Sequence, residues 1–135
     1  DTEGLLLLTD DGKTAHDLLS PRHHVDKVYY ARTEGRLTPE DAAAFAAGMT
    51  LGDGLRCLPA GLEILSAGEE SEALVTLREG KFHQVKRMLA SRGKPVLYLK
   101  RLAMGPLTLE DTLPAGQCRP LTEEEISALR CACGV

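Results

Sequence analysis

Residues 79–88 combine a glycine turn, a helix start and several groups that can bind an anion. The stretch reads Glu-Gly-Lys-Phe-His-Gln-Val-Lys-Arg-Met, and it leads into a basic segment. From Lys81 to Arg101 the chain contains seven Lys or Arg residues and no Asp or Glu, although its net charge is -4. Because the local field rather than the net charge attracts a phosphate backbone, this basic segment predicts a polyanionic partner.

A helix over residues 82–91 would separate the polar groups of this stretch from its apolar ones. At about 100° per residue, the apolar side chains form one stripe: Phe82, Val85, Met88 and Leu89. His83 and Arg87 lie together on another side, and Lys86 falls on the shoulder of the stripe. From geometry alone, Lys86 either extends its ammonium group to solvent, which is the commoner case, or pairs with an acid at a partly buried position.

The other polar residues of the stretch have ordinary explanations when each is taken singly. His83 is typical of a solvated or capping residue, and Arg87 of a surface charge. The group matters because Gly80 precedes it and because the free N–H groups of a helix N-terminus bind anions.

Two short motifs nearer the N-terminus also offer polar or aromatic groups. Adjacent His23 and His24 on an extended segment point to opposite faces, so one metal ion would rarely take both. Contact of Arg22 with a phosphate or a base is one alternative, and simple loop polarity is another. Tyr29 and Tyr30 also alternate on a predicted strand, so one ring belongs to the core and the other is available to stack on a base.

The hydrophobic patterns predict an α+β fold, a mainly antiparallel mixed sheet with peripheral helices. The predicted strands are residues 5–8, 25–32, 55–66, 73–78, 96–101 and 107–109. The predicted helices are residues 14–19, 39–47, 82–91 and 123–131. Thr38 and Pro39 form a strong helix start, and Thr122 with Glu125 forms a capping box.

The length of 135 residues indicates one domain, or one domain and a fragment of another, and no apolar run is long enough to cross a bilayer. The four cysteines form no Cys-x-x-Cys pair, and no secretory leader precedes them, so we expect reduced thiols in a cytoplasmic protein. We expect no metal site, because Cys131 and Cys133 lack a second pair of ligands nearby. The charge pattern leaves open an RNA-binding protein and a regulatory domain that binds a nucleotide or an acidic peptide.

Four blocks of the sequence, in order, resemble the catalytic domain of the RsuA-type pseudouridine synthases. They are residues 1–12, residues 20–24 with 27–29, residues 79–88 and residues 119–126. Each block is modest alone, but four in order across nearly the whole chain are specific. The Ser-Pro-Arg-His-His and His-Gln-Val-Lys-Arg-Met blocks are closer to the small-subunit (16S) rRNA branch than to the large-subunit branch.

The resemblance implies an isomerase that detaches the base of a chosen uridine, turns it and rejoins it through carbon, with no cofactor and no metal. Tyr29 matches the tyrosine that packs against the uracil ring, and Lys86 matches the basic residue that pairs with a catalytic aspartate. The implied RNA contacts are Arg22, Lys27, His83, Gln84 and Arg87. The expected partner is 16S rRNA, as a small-subunit particle or an assembly intermediate, and the expected state is a monomer.

The same resemblance places the catalytic aspartate two residues before Asp1, because Asp1 aligns with a later aspartate of the family motif. We therefore expect residues 1–135 to be a catalytic domain that lacks the aspartate motif and the small N-terminal S4-like RNA-binding domain, and to be inactive alone. The alternative reading is a non-catalytic RNA-binding module with the same fold.

Overall fold

The computed structural model describes residues 2–8, 13, 25–79, 83–109 and 116–132. In chain order the strands are β1 (Thr2–Gly4), β2 (Lys27–Glu34), β3 (Met49–Thr50), β4 (Arg56–Cys57), β5 (Gly61–Ser66), β6 (Glu70–Leu77), β7 (Val96–Met104) and β8 (Leu107–Thr108). The helices are α1 (Pro39–Ala47), which follows β2, α2 (Gln84–Ser91), which follows β6, and α3 (Glu123–Ala132), which follows β8. The helix predicted at residues 14–19 lies outside the described residues.

One mixed sheet organises the chain, in the order β1-β7-β2-β6-β5, with β8 paired to β7. Strand β1 is parallel to β7, and the other pairs of this sheet are antiparallel. Strands β3 and β4 form a separate antiparallel pair. The α+β prediction and the predicted antiparallel pair formed by β5 and β6 are confirmed.

The core lies on one face of this sheet, where α1 and α2 cover it. Alternate residues of β6 are buried, which is the period-2 pattern of a strand with one face inward. The main hydrophobic cluster joins these strands to the two helices through side chains that include Ala31, Val75, Leu99, Phe45, Val85, Met88 and Leu89. A smaller cluster contains Val25, Met104, Leu107 and Leu129, and it docks α3.

Two strand predictions were wrong in extent. Residues 5–8 do not form a buried strand: the strand is Thr2–Gly4, and Leu6 and Leu8 are 69% and 73% exposed. Only Leu5 and Leu7 pack against the smaller cluster, so one side of this apolar run faces solvent. The strand predicted at 55–66 is divided into β4 and β5, with Pro59, which has no N–H to donate to a ladder, between them.

Helix starts follow the predicted caps. Thr122 N–H donates to Glu125 Oε1 at 2.9 Å, and Glu125 N–H donates to Thr122 Oγ1 at 3.1 Å, which completes the capping box of α3. At α1, Thr38 N–H donates to Asp41 Oδ2 at 3.0 Å. No helix in the described part of the chain has the length and apolarity that crossing a membrane requires.

Asp41 is the centre of a buried charge network between α1 and the end of α2. Its carboxylate is 1% exposed and accepts from Arg92 Nε at 2.8 Å and from Lys94 Nζ at 3.0 Å. Burial alone would raise the pKa of Asp41, but the hydrogen bonds from Arg92, Thr38 and Lys94 outweigh it and lower the pKa to about 2. The network therefore fastens the two helices that cover the core face.

Replacement of Asp41 by Asn should lower the free energy of unfolding at pH 7 by about 2 kcal/mol, because two cations lose their buried carboxylate. The folded-state pKa is depressed, so this contribution is complete above the ordinary Asp pKa of 3.8 and disappears as the pH falls to about 2. Urea unfolding at several pH values checks both points. The control is Glu40→Gln at an exposed position of the same helix, which should change stability by less than about 0.5 kcal/mol. Equal stability of Asp41→Asn and wild type at every pH would contradict the network.

Candidate active site

Tyr29 lies in a row of residues that runs across the core face of the sheet. It is directly opposite Val75 on β6 and Arg101 on β7. The row continues from Arg101 to Gly4 on β1 and from Val75 to Leu62 on β5. Because directly opposite residues share a face, with Cβ atoms about 5 Å apart, Tyr29 and Arg101 project from neighbouring strands on the same face of the sheet. Tyr29 is half-buried and packs against the main hydrophobic cluster.

Helix α2 covers the same face as Tyr29, since Val85, Met88 and Leu89 belong to the main cluster. Lys86 follows Val85 and is half-buried, as its predicted position on the shoulder of the apolar stripe requires. Within the part of the chain that the structure describes, no carboxylate lies within ion-pair distance of its ammonium group. A half-buried cation without an acid is costly, so this position suits a partner that the described residues do not include.

The second tyrosine of the pair points to the other face of the sheet. Tyr30 makes an edge contact with Tyr98, with ring centroids 6.0 Å apart, and its hydroxyl donates to Glu72. This hydrogen bond raises the pKa of Tyr30. For the Tyr29 hydroxyl no hydrogen bond is found among the described residues. The structure thus separates a tyrosine engaged by a carboxylate from one that lies on the core face.

Burial argues against two of the predicted RNA contacts. Lys27 has no exposed surface, and its Nζ donates to Val25 O at 3.2 Å. Gln84 is 3% exposed, and its Nε2 donates to Met88 Sδ at 3.6 Å. An RNA phosphate cannot reach such groups without local opening of the fold.

His83 is exposed and forms the N-cap of α2 in the left-handed region, with φ 47°. Histidine is one of the few residues other than glycine that enter this region with some frequency. Its carbonyl accepts from Arg87 N–H at 3.0 Å, which begins the helix. The predicted contact Arg22 lies outside the described residues, as do residues 80–82.

Acidic residues of the protein form ion pairs with several cations of the basic segment. Asp41 pairs with Arg92 and Lys94, and Asp53 pairs with Arg87. Lys100 Nζ is 3.9 Å from Glu3 Oε1. Acids that are distant in sequence therefore neutralise part of the charge from which the sequence predicted a polyanionic partner. Lys86 and Arg101 are the described cations of the segment for which no acidic partner is found among the described residues.

The pair of Arg87 and Asp53 lies on the side of α2 away from the core. It lines an open groove with Leu51, Gly52, Ala90 and Ser91. Asp53 accepts from Leu55 N–H at 3.0 Å, and this bond, followed by the Arg87 guanidinium, lowers the pKa of Asp53. Sequence reasoning missed Asp53, because an acid in a Gly-Asp-Gly turn shows no sign of its partner 34 residues later.

Among the residues that the structure describes, no three His, Cys, Asp or Glu side chains are arranged to hold a metal ion. Cys57 is buried, whereas Cys118 and Cys131 are exposed.

Comparison with known proteins places this geometry in context. Residues 1–91 match the family model described as RNA pseudouridylate synthase. Over 130 residues, 96% of this chain, the sequence is 44% identical to ribosomal small subunit pseudouridine synthase A of Vibrio cholerae. It is 43% identical over 130 residues to the Bacillus subtilis protein named uncharacterized RNA pseudouridine synthase YtzG.

A solved structure agrees with these relatives. A crystal structure of a pseudouridylate synthase superimposes with a TM-score of 0.83 at 41% identity, and the match covers 93% of this chain and 54% of that one. The chain likewise spans about half the length of the curated relatives it matches, 55% of the Vibrio protein and 54% of YtzG.

Proposed function

This chain belongs to the RNA pseudouridylate synthase family, and on that premise we propose that the complete protein converts one uridine of 16S rRNA into pseudouridine. The names of the relatives from Vibrio cholerae and Escherichia coli, which are 44% and 42% identical, support the small-subunit assignment. The proposed enzyme acts as a monomer in the cytoplasm, on rRNA in a small-subunit particle or an assembly intermediate.

The proposed reaction is an isomerisation, so it needs no oxidant, reductant or co-substrate. The bond between the ribose and a uracil nitrogen breaks, the base turns, and a bond from the ribose to a uracil carbon replaces it. That carbon loses its proton and the freed nitrogen gains one, so substrate and product have the same composition. The base must first leave its stack, which costs a few kcal/mol. Stacking on the Tyr29 ring would return about 1–3 kcal/mol of this cost.

The single observation that carries the proposal is the position of Lys86. It is half-buried on the helix that covers the core face, and no acid among the described residues pairs with it. This supports the proposal that Lys86 pairs with a catalytic aspartate N-terminal to Asp1, as the family resemblance implies. The positive charge of Lys86, at an ion-pair distance of about 4–6 Å, would keep the aspartate ionised at neutral pH.

Away from Tyr29 and Lys86, the proposed RNA contacts are Arg22, His83 and Arg87. Exposure of His83 and the position of Arg87 on the outer side of α2 support this role. Such contacts position the RNA on the protein and do not read its sequence. In this proposal, phosphate competes with Asp53 for Arg87.

Mapping of pseudouridine in rRNA tests the proposed function. The complete protein is incubated with 16S and 23S rRNA, each naked and as particles, from cells that lack its gene. We expect one new pseudouridine in 16S rRNA and none in 23S rRNA. Modification of 23S rRNA alone would refute the small-subunit assignment, and binding without modification of either RNA would favour the non-catalytic module.

Replacement of Lys86 by Met in the complete protein should lower kcat by a factor of about 10² or more, because the catalytic aspartate loses its counter-charge. Affinity for the 16S rRNA fragment should stay within about threefold of wild type. The matched variant on the same helix, Arg87→Met, should instead raise KM and leave kcat nearly unchanged. Steady-state kinetics over a range of RNA concentrations separates the two effects, and near-normal kcat for Lys86→Met would refute its role.

Replacement of Asp53 by Asn should raise RNA affinity about threefold at low salt, because Arg87 is released to phosphate. The gain in affinity should disappear in the Arg87→Met background. In that background the slope of log Kd against the logarithm of the salt concentration should also decrease, by the amount that one phosphate contact contributes. Titrations of the four proteins of this double-mutant cycle give the coupling. An equal gain in both backgrounds would mean that Asp53 acts only through general repulsion.

A further inference from the structure

We propose that Arg101 binds the phosphate of the extruded nucleotide beside Tyr29, as a substrate-binding residue that no sequence motif identified. This inference rests on the proposed function, because it takes Tyr29 as the ring that stacks on the base. Arg101 is directly opposite Tyr29 in the register of β7 and β2 and is half-buried on the same face. A group bound at the Tyr29 ring is therefore within reach of the Arg101 guanidinium.

The charge of Arg101 has no acidic partner among the described residues. Within the described residues, its side chain donates one hydrogen bond, from Nε to the backbone oxygen of Leu5 at 2.6 Å. That bond occupies one of the five N–H donors of the guanidinium, and because its acceptor is an uncharged carbonyl it supplies no counter-charge. A half-buried guanidinium without an anion is costly, and a planar guanidinium matches a phosphate in a bidentate way. RNA supplies one phosphate with every nucleotide that it presents.

The neighbouring strand fixes the place of Arg101. Leu5 N–H donates to Arg101 O at 2.8 Å, a backbone bond that does not depend on the side chain. Gly4 has φ +119°, and a Cβ added to it would lie 2.9 Å from Arg101 Cα, so β1 approaches β7 too closely for any other residue. The Leu5 carbonyl thus holds the guanidinium beside the segment that follows β1, while the strand register keeps Arg101 opposite Tyr29.

A purely structural role for Arg101 would be to fasten β1 through the bond to Leu5. The two roles differ in what salt does to RNA binding. A phosphate contact contributes to the salt dependence of RNA binding, whereas a hydrogen bond that only fastens the segment after β1 changes the free energy of unfolding.

The test compares Arg101→Met, Arg101→Lys and Lys100→Met in the complete protein. Lys100 is the control, because it directly precedes Arg101 on β7 but lies opposite Tyr30, on the other face of the sheet. Its ammonium group is near the Glu3 carboxylate. We measure binding of a 16S rRNA fragment at several salt concentrations, KM and kcat for pseudouridine formation, and thermal unfolding.

For Arg101→Met we expect RNA affinity to fall about tenfold at low salt. The salt slope, that is, the slope of log Kd against the logarithm of the salt concentration, should decrease by the amount that one phosphate contact contributes. The KM should rise by a larger factor than the factor by which kcat falls. Arg101→Lys should restore the salt slope, and Lys100→Met should leave KM and kcat unchanged. An unchanged salt slope in Arg101→Met, with only a lower unfolding temperature, would overturn the proposal. The binding data remain decisive if wild type forms no pseudouridine, a result that would count against the proposed function alone.

Discussion

The pairing of β2 with β6 on one side and β7 on the other is the constraint on which the site depends. Strand residues directly opposite each other share a face, so this register decides that Tyr29 joins the core face and Tyr30 the other. A slip of one residue would exchange the two rings. The same register sets Arg101 beside Tyr29, and α2 then covers the face that they share.

Charge is distributed so that structural and available cations are distinct. Asp41 binds Arg92 and Lys94 in a buried network that fastens α1 to the end of α2. The lowered pKa of Asp41 shows that these bonds outweigh its burial. Two cations of the basic segment, Lys86 and Arg101, have no acidic partner among the described residues, and both belong to elements of the core face. In the proposed enzyme they take a carboxylate and a phosphate respectively.

Local patterns predicted most of the elements, and long-range contacts explain the failures. The period of the apolar residues predicted α2 and the half-buried position of Lys86, because a helix face depends only on residues three and four apart. The burial of Lys27 and the pairing of Asp53 with Arg87 depend on strands and loops distant in sequence, which no local pattern reports. The exposed side of Leu6 and Leu8 has the same origin, since apolarity alone does not say how many faces of a strand are covered.

The central claim is that Tyr29 and Lys86 serve one pocket that holds an extruded uracil. The most direct measurement is an experimental structure of the complete protein bound to a 16S rRNA fragment that contains its target uridine. We expect the uracil against the Tyr29 ring, with Lys86 Nζ within about 4 Å of an aspartate that also faces the nucleotide. A uracil bound away from Tyr29, with Lys86 in solvent, would contradict it.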